Sequence, residues 1–146
     1  MIPLIVLVVA FAVFRLVGFA VPYLADWQLS LRAALGVMFL LTASAHWGKR
    51  RADLVRMVPP NLGNREFWVT VTGIAEILIA IGLQVPRIAV IFAMIAFIML
   101  LCIFPANARA AREKLTIAGR PVPNIGPRLA IQFVFLAALL ASVWSR

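Results

Sequence analysis

The stretch IAVIFAMIAFIMLLCIF, Ile88 to Phe104, decides the reading of this chain: across seventeen positions it holds no charged residue. A surface helix of a soluble protein keeps a polar face, whereas a helix crossing the ~30 Å hydrocarbon layer of a bilayer needs about 20 mostly apolar residues. Working outward from this run, similar ones lie on both sides. The sequence predicts crossing helices over about 2–23, 29–47, 66–84, 88–104 and 129–144. Arg15 interrupts the first, and Glu76 lies inside the third. Strands of a membrane barrel would be half as long and would alternate polar with apolar residues, which these do not. Pro59, Pro60 and Gly63 break the chain before the third span, Pro86 separates the third from the fourth, and Pro105 is expected to close the fourth. The link Gln84-Val85-Pro86-Arg87 is short enough to make spans three and four antiparallel neighbours.

Composition agrees. Of the 146 residues, 64% are apolar and 13% charged, against about half and a quarter in soluble domains. Mean hydropathy is +1.04. The chain reads as one membrane domain, 1–146. Its net charge of +9 would suit nucleic acid, but the charges fall in the gaps between apolar runs, so nucleic acid is not an expected partner. Lys49, Arg50, Arg51, Arg56 and Arg65 lie between spans two and three, and Arg109, Arg112, Lys114, Arg120 and Arg128 between spans four and five. Only Arg32, Arg87 and Arg146 lie on the other side. The positive-inside rule then places both longer loops and the N-terminus in the cytoplasm and the C-terminus outside, as for a multi-pass protein of the cytoplasmic (inner) membrane. Trp27, Trp47, Trp68 and Trp144 all fall near span ends, where indoles prefer the interface. The first run lacks a basic leading region and is broken by Arg15, so it reads as a retained helix rather than a secretory leader.

Cys102 is the single cysteine and His46 the single histidine. An internal disulfide, a CxxC centre and a haem held by two histidines of this chain are excluded, and no metal site is expected. Cys102 reads as a small packing residue. Phosphate loops, nucleophile triads and flavin fingerprints are also missing, so no catalytic residue is assigned and no independent catalytic activity is expected.

Five residues remain as ligand or proton site candidates. Glu76 sits about ten residues into its span, near the midplane, where an ionisable group costs some 2.5 kcal/mol or more unless neutralised or paired. It marks either a functional site or a bond tying helices together. Arg15 is the other intramembrane charge, and the two are expected to face one polar cavity. His46, at the end of span two beside Trp47, titrates near neutrality and suits a proton carrier or a quinone hydrogen-bond partner, or a plain interfacial histidine. Asn107 and Gln132 would line the same vestibule, or cap carbonyls freed where Pro105 breaks the helix. Thr70 and Thr72 are expected to bond back to their own helix. The segments Val58-Pro59-Pro60-Asn61-Leu62-Gly63-Asn64-Arg65 and Val122-Pro123-Asn124-Ile125-Gly126-Pro127-Arg128 echo one another, as a repeat of two hairpins would, or as any tight helix start would.

Several motifs in order resemble the DoxX family of small integral membrane proteins. They are Leu31-Arg32-Ala33-Ala34-Leu35-Gly36 through Ser44-Ala45-His46-Trp47, then Met57-Val58-Pro59-Pro60, Thr72-Gly73-Ile74-Ala75-Glu76-Ile77-Leu78, Ile81-Gly82-Leu83, Pro86-Arg87 and Phe104-Pro105-Ala106-Asn107. The resemblance implies an all-α, polytopic transmembrane bundle: a four-helix DoxX-like core plus one N-terminal helix. It also implies an accessory or quinone-linked subunit of a membrane oxidoreductase system, with no covalently bound cofactor. The residues leave two other classes open: a non-enzymatic binder or carrier of a small lipophilic molecule, and a scaffold for a soluble redox partner. Gly18, Gly36 and Gly82 would allow close helix approach, including within a homo-oligomer.

Overall fold

The computed structural model describes residues 2–117 and 119–144. These form six α-helices: α1 (Ile2–Val17), α2 (Trp27–Ser44), α3 (Arg51–Met57), α4 (Arg65–Gly82), α5 (Ala89–Arg112) and α6 (Ile125–Val143). A short antiparallel ribbon pairs β1 (Thr116–Ile117) with β2 (Arg120–Pro121), Thr116 opposite Pro121. Arg146 lies outside the described residues.

Three helices, α2, α5 and α6, are long and apolar enough to cross a membrane. Length and composition thus support three of the five expected crossings. The other two fall short for separate reasons: α1 is apolar but only 16 residues long, and α4 has the length but carries Arg65, Glu66 and Glu76.

The helix starts are set by caps. The Asp26 carboxylate accepts from Gln28 N at 2.7 Å and Leu29 N at 3.0 Å, and the Asn64 side chain accepts from Phe67 N at 3.1 Å. At its end α1 stops at Val17, short of the expected residue 23. The chain there folds back through a 3₁₀ turn, Pro22–Ala25, so tightly that a Cβ on Gly18 would stand 2.5 Å from the Leu24 carbonyl oxygen. Pro105 does not end its helix either: α5 runs on to Arg112. Proline removes one ladder bond and bends the helix, but the following Ala-Asn-Ala-Arg-Ala-Ala-Arg is rich in helix formers, and Ala110 and Ala111 are buried.

The helices pack in pairs: α2 against α1, α4 and α6, and α5 against α4 and α6. The core joins Leu35, Met38 and Phe39 of α2 to Ile79 and Ala80 of α4, Ala93, Ala96 and Leu100 of α5, and Leu136 and Leu139 of α6. Small side chains at Ala89, Ala93 and Ala96 let α5 approach closely, the usual device where lipid gives no hydrophobic drive between helices. The outward faces stay apolar: Leu78, Ile91 and Ile98 are more than half exposed. Cys102 is exposed on α5 rather than packed inside. A second, smaller cluster of Met57, Ala110 and Val122 fastens α3 and the ribbon to the end of α5.

The bundle has two unlike ends. One carries the 18–26 turn, the short 83–88 link and the end of α6. The other carries both long connections. The echoed segments there differ in register: Arg65 is the first residue of α4, whereas Arg128 is the fourth of α6. The first segment forms a 3₁₀ turn with Gly63 at φ 68°, while the second enters α6 directly from Asn124.

Candidate functional site

Val69, Gly73 and Glu76 lie at i, i+4 and i+7 on the buried face of α4. Opposite them the chain leaves α2 at Ser44, and the ring of His46, two residues on, turns onto this stripe. It can do so because Gly73 has no side chain: a Cβ there would lie 2.7 Å from His46 Cβ and 2.8 Å from both His46 Cγ and a ring carbon of Trp47.

His46 and Glu76 are both buried, at 8% and 7% exposure. The two ring nitrogens have different neighbours. Nδ1 is 2.6 Å from the Val69 carbonyl oxygen. A carbonyl only accepts, so Nδ1 carries a hydrogen and donates it. That leaves Nε2, 3.5 Å from Glu76 Oε2, as the nitrogen that titrates. A proton on Nε2 would make an ion pair with an ionised Glu76, and a proton on the carboxyl would make two neutral groups; either arrangement leaves the buried pair without net charge. The contact is too long for a strong hydrogen bond, and buried Oε2 has no hydrogen-bond partner among the described residues. Buried polar atoms are normally satisfied, so this oxygen is the exception to be explained.

The backbone of His46 is held as well. Arg51 donates from Nη1 to the His46 carbonyl oxygen at 2.8 Å, and from Nη2 to Thr70 Oγ1 at 2.9 Å and the Glu66 carbonyl at 3.3 Å. His46 lies just beyond α2. Burial there disfavours its charge, but the nearby Glu76 carboxylate and the bond to the Val69 carbonyl outweigh this, and its pKa is raised above the usual 6.5.

The other candidates lie elsewhere. Arg15, in the last turn of α1, donates to the carbonyl oxygens of Ala25 at 2.6 Å and Leu24 at 3.4 Å, at the end of the bundle away from His46. Among the described residues no ion pair joins it to Glu76, the partner expected for it. The turn after Gly18 supplies nearer acceptors than α4 does. Asn107 and Gln132 bind across the α5–α6 contact. Asn107 Oδ1 accepts from Arg128 Nη1 at 2.8 Å, and Gln132 Nε2 donates to the Leu100 carbonyl at 2.6 Å, beside the stretch that Pro105 opens. Thr70 and Thr72 bond back to Glu66 O and Trp68 O at 3.0 and 2.8 Å.

Sequence reasoning missed Gly73, Val69 and Arg51. The signal for Gly73 was present, a small residue one turn before Glu76 on the same helix face. The roles of Val69 and Arg51 depend on where the chain turns after Ser44, which no local pattern encodes.

Residues 35–143 match a family model described as "Domain of unknown function (DUF8561)". The match takes in His46, Glu76, Asn107 and Gln132, and leaves out α1 with Arg15. No curated protein and no solved structure matches the chain.

Proposed function

The chain belongs to the DUF8561 family; from its motif resemblance and its buried Glu76–His46 pair we propose that it is a DoxX-like integral membrane protein whose pair holds and exchanges one proton for a quinone-linked oxidoreductase system. In this reading α2, α4, α5 and α6 form the membrane core with α1 alongside, all five cross the bilayer, and the N-terminus lies inside. The short reach of α1 is accommodated by local thinning of the bilayer, and the charges at the start of α4 by Arg65 and Glu66 reaching the headgroup layer. The C-terminus lies outside, and the host is the cytoplasmic membrane.

One observation carries the proton reading: a buried carboxyl oxygen without a hydrogen-bond partner, facing the titrating nitrogen of a histidine whose other nitrogen is already committed. The site also fits a quinone by its chemistry. A protonated Glu76 would donate to a quinone carbonyl, and an ionised one would accept from a quinol hydroxyl. The chain has no redox-active side-chain pair, so electrons would belong to the quinone or to a partner enzyme, and the protein supplies position and a proton. The quinone itself comes from the motif resemblance alone.

The test is a titration of detergent-purified protein with a short-chain quinone, read by tryptophan fluorescence, with quinones extracted from the same preparation identified by mass spectrometry. Glu76→Gln and His46→Gln should each weaken binding on the order of tenfold, since a hydrogen bond to an ionisable group is lost. Binding equal to wild type in both variants would overturn the proposal. A copurified lipid, with no response to quinone, would replace it by a carrier of lipophilic molecules.

A further inference from the structure

Two shallow grooves meet where α2 gives way to α3. The larger, about 440 Å³, is lined by Lys49, Arg51, Val55 and Glu66 among others. The smaller, about 210 Å³, takes in Leu41, Lys49 and Arg50. Arg51 is committed to His46, Glu66 and Thr70. Lys49 and Arg50 are exposed, and no side-chain hydrogen bond or ion pair holds either among the described residues. Two unengaged cations therefore stand side by side at the smaller groove, whose edge at Leu41 is hydrocarbon.

That edge identifies the occupant. The smaller groove opens at Leu41 onto the outward face of α2, where Leu40 is 51% and Val37 40% exposed. A soluble polyanion would meet the cations and leave this strip unfilled. An amphiphile with an anionic head and a hydrocarbon tail fits both. We propose that the α2–α3 elbow is a binding site for an anionic phospholipid, its phosphate between Lys49 and Arg50 and its acyl chain along Leu41, Leu40 and Val37. This rests on the reading that α2 crosses the membrane, and it is independent of the quinone. The exposed indole of Trp47, next in the chain, stands at the level where headgroup meets chain and makes a built-in reporter.

The test uses the full-length protein in mild detergent, titrated with brominated-chain phosphatidylglycerol or brominated-chain phosphatidylcholine, with quenching of tryptophan fluorescence as the readout. Each basic residue near a headgroup layer favours an anionic lipid by about fivefold, so phosphatidylglycerol should be preferred on the order of twentyfold. The double variant Lys49→Gln/Arg50→Gln should lose that preference, and the charge-keeping Lys49→Arg/Arg50→Lys should retain it. Arg87→Gln, an exposed cation at the other end of the bundle, should also leave it intact. Inorganic phosphate at equal phosphorus concentration should displace little of the bound lipid. Equal quenching by the two lipids, a preference that survives the double neutralisation, or full displacement by phosphate would each overturn the site. Such a failure leaves the quinone response of Glu76 untouched, so the two proposals stand or fall separately.

Discussion

Both ends of the bundle set polar side chains on main-chain acceptors, but only one also leaves buried polar atoms without a hydrogen-bond partner. At the end with the short connections, donors meet main-chain acceptors. Arg15 reaches Ala25 O, Gln28 reaches Ala141 O and Trp144 O, Arg32 reaches Ser142 O, and Gln84 reaches Arg32 O and Ala80 O. No proton need move in any of these bonds. At the end with the long connections lie Glu76 Oε2 and Arg128 Nε, both buried without a hydrogen-bond partner. The first end is stapled, and the second holds a titratable pair. The difference teaches that a charge within an apolar helix is not by itself a functional mark. Arg15 and Glu76 are alike by hydropathy, and only the partners separate a brace from a candidate proton site.

The largest expected effect falls on the seat of the pair. Gly73→Ala puts a methyl 2.7 Å from His46 Cβ, an atom fixed close to the backbone, so it should cost about 1–3 kcal/mol of stability in detergent and loosen the His46–Glu76 contact. Unfolding curves of purified protein check this. A neutral Gly73→Ala would mean that the α2 elbow does not sit on α4.

Next comes the pair itself. Glu76→Gln and His46→Gln should each destabilise, and the double variant should depart from their sum by about 0.5–3 kcal/mol. The matched control at the other end is Arg15→Gln combined with Glu76→Gln, which should be additive. Coupling between Arg15 and Glu76 would erase the contrast between the ends.

A smaller loss is expected at the α5–α6 contact. Gln132→Leu leaves the Leu100 carbonyl without its donor, at a cost of about 0.6–1.5 kcal/mol, with no change in the pH dependence. A changed pH profile would place Gln132 in the titrating site instead.

The smallest effect is the pH dependence. The folded pKa of His46 lies above its unfolded value, so its stabilising contribution is complete below pH 6.5 and is lost as pH rises through the higher folded value. Melting temperature in detergent should therefore fall as pH rises above 6.5 in wild type and stay flatter in Glu76→Gln and His46→Gln. Arg15→Gln should behave as wild type.

Much of this architecture was legible beforehand because bilayer thickness and hydropathy are local constraints. The uncharged run at Ile88–Phe104 needs no neighbour to declare itself. Pro105 misled because a proline ends a helix only when nothing downstream repays the bent ladder, and here Ala110 and Ala111 are buried against the second cluster. Helix α3 stayed hidden because seven residues with Arg51, Asp53 and Arg56 read as a charged loop, and its anchor is Met57 packing on distant Ala110 and Val122. Of the candidate site, depth picked out Glu76 and titration range picked out His46. Their meeting depends on a turn after Ser44 and a missing side chain at Gly73, and Arg15 found its acceptors in a turn only ten residues on.

The most direct measurement is infrared difference spectroscopy of the protein across a pH step, following the C=O stretch of protonated carboxyls. The account predicts one buried carboxyl band that titrates in wild type, is missing in Glu76→Gln, is displaced in His46→Gln and is unchanged in Arg15→Gln. A band that persists in Glu76→Gln, or spectra identical in wild type and His46→Gln, would contradict a shared proton between Glu76 and His46.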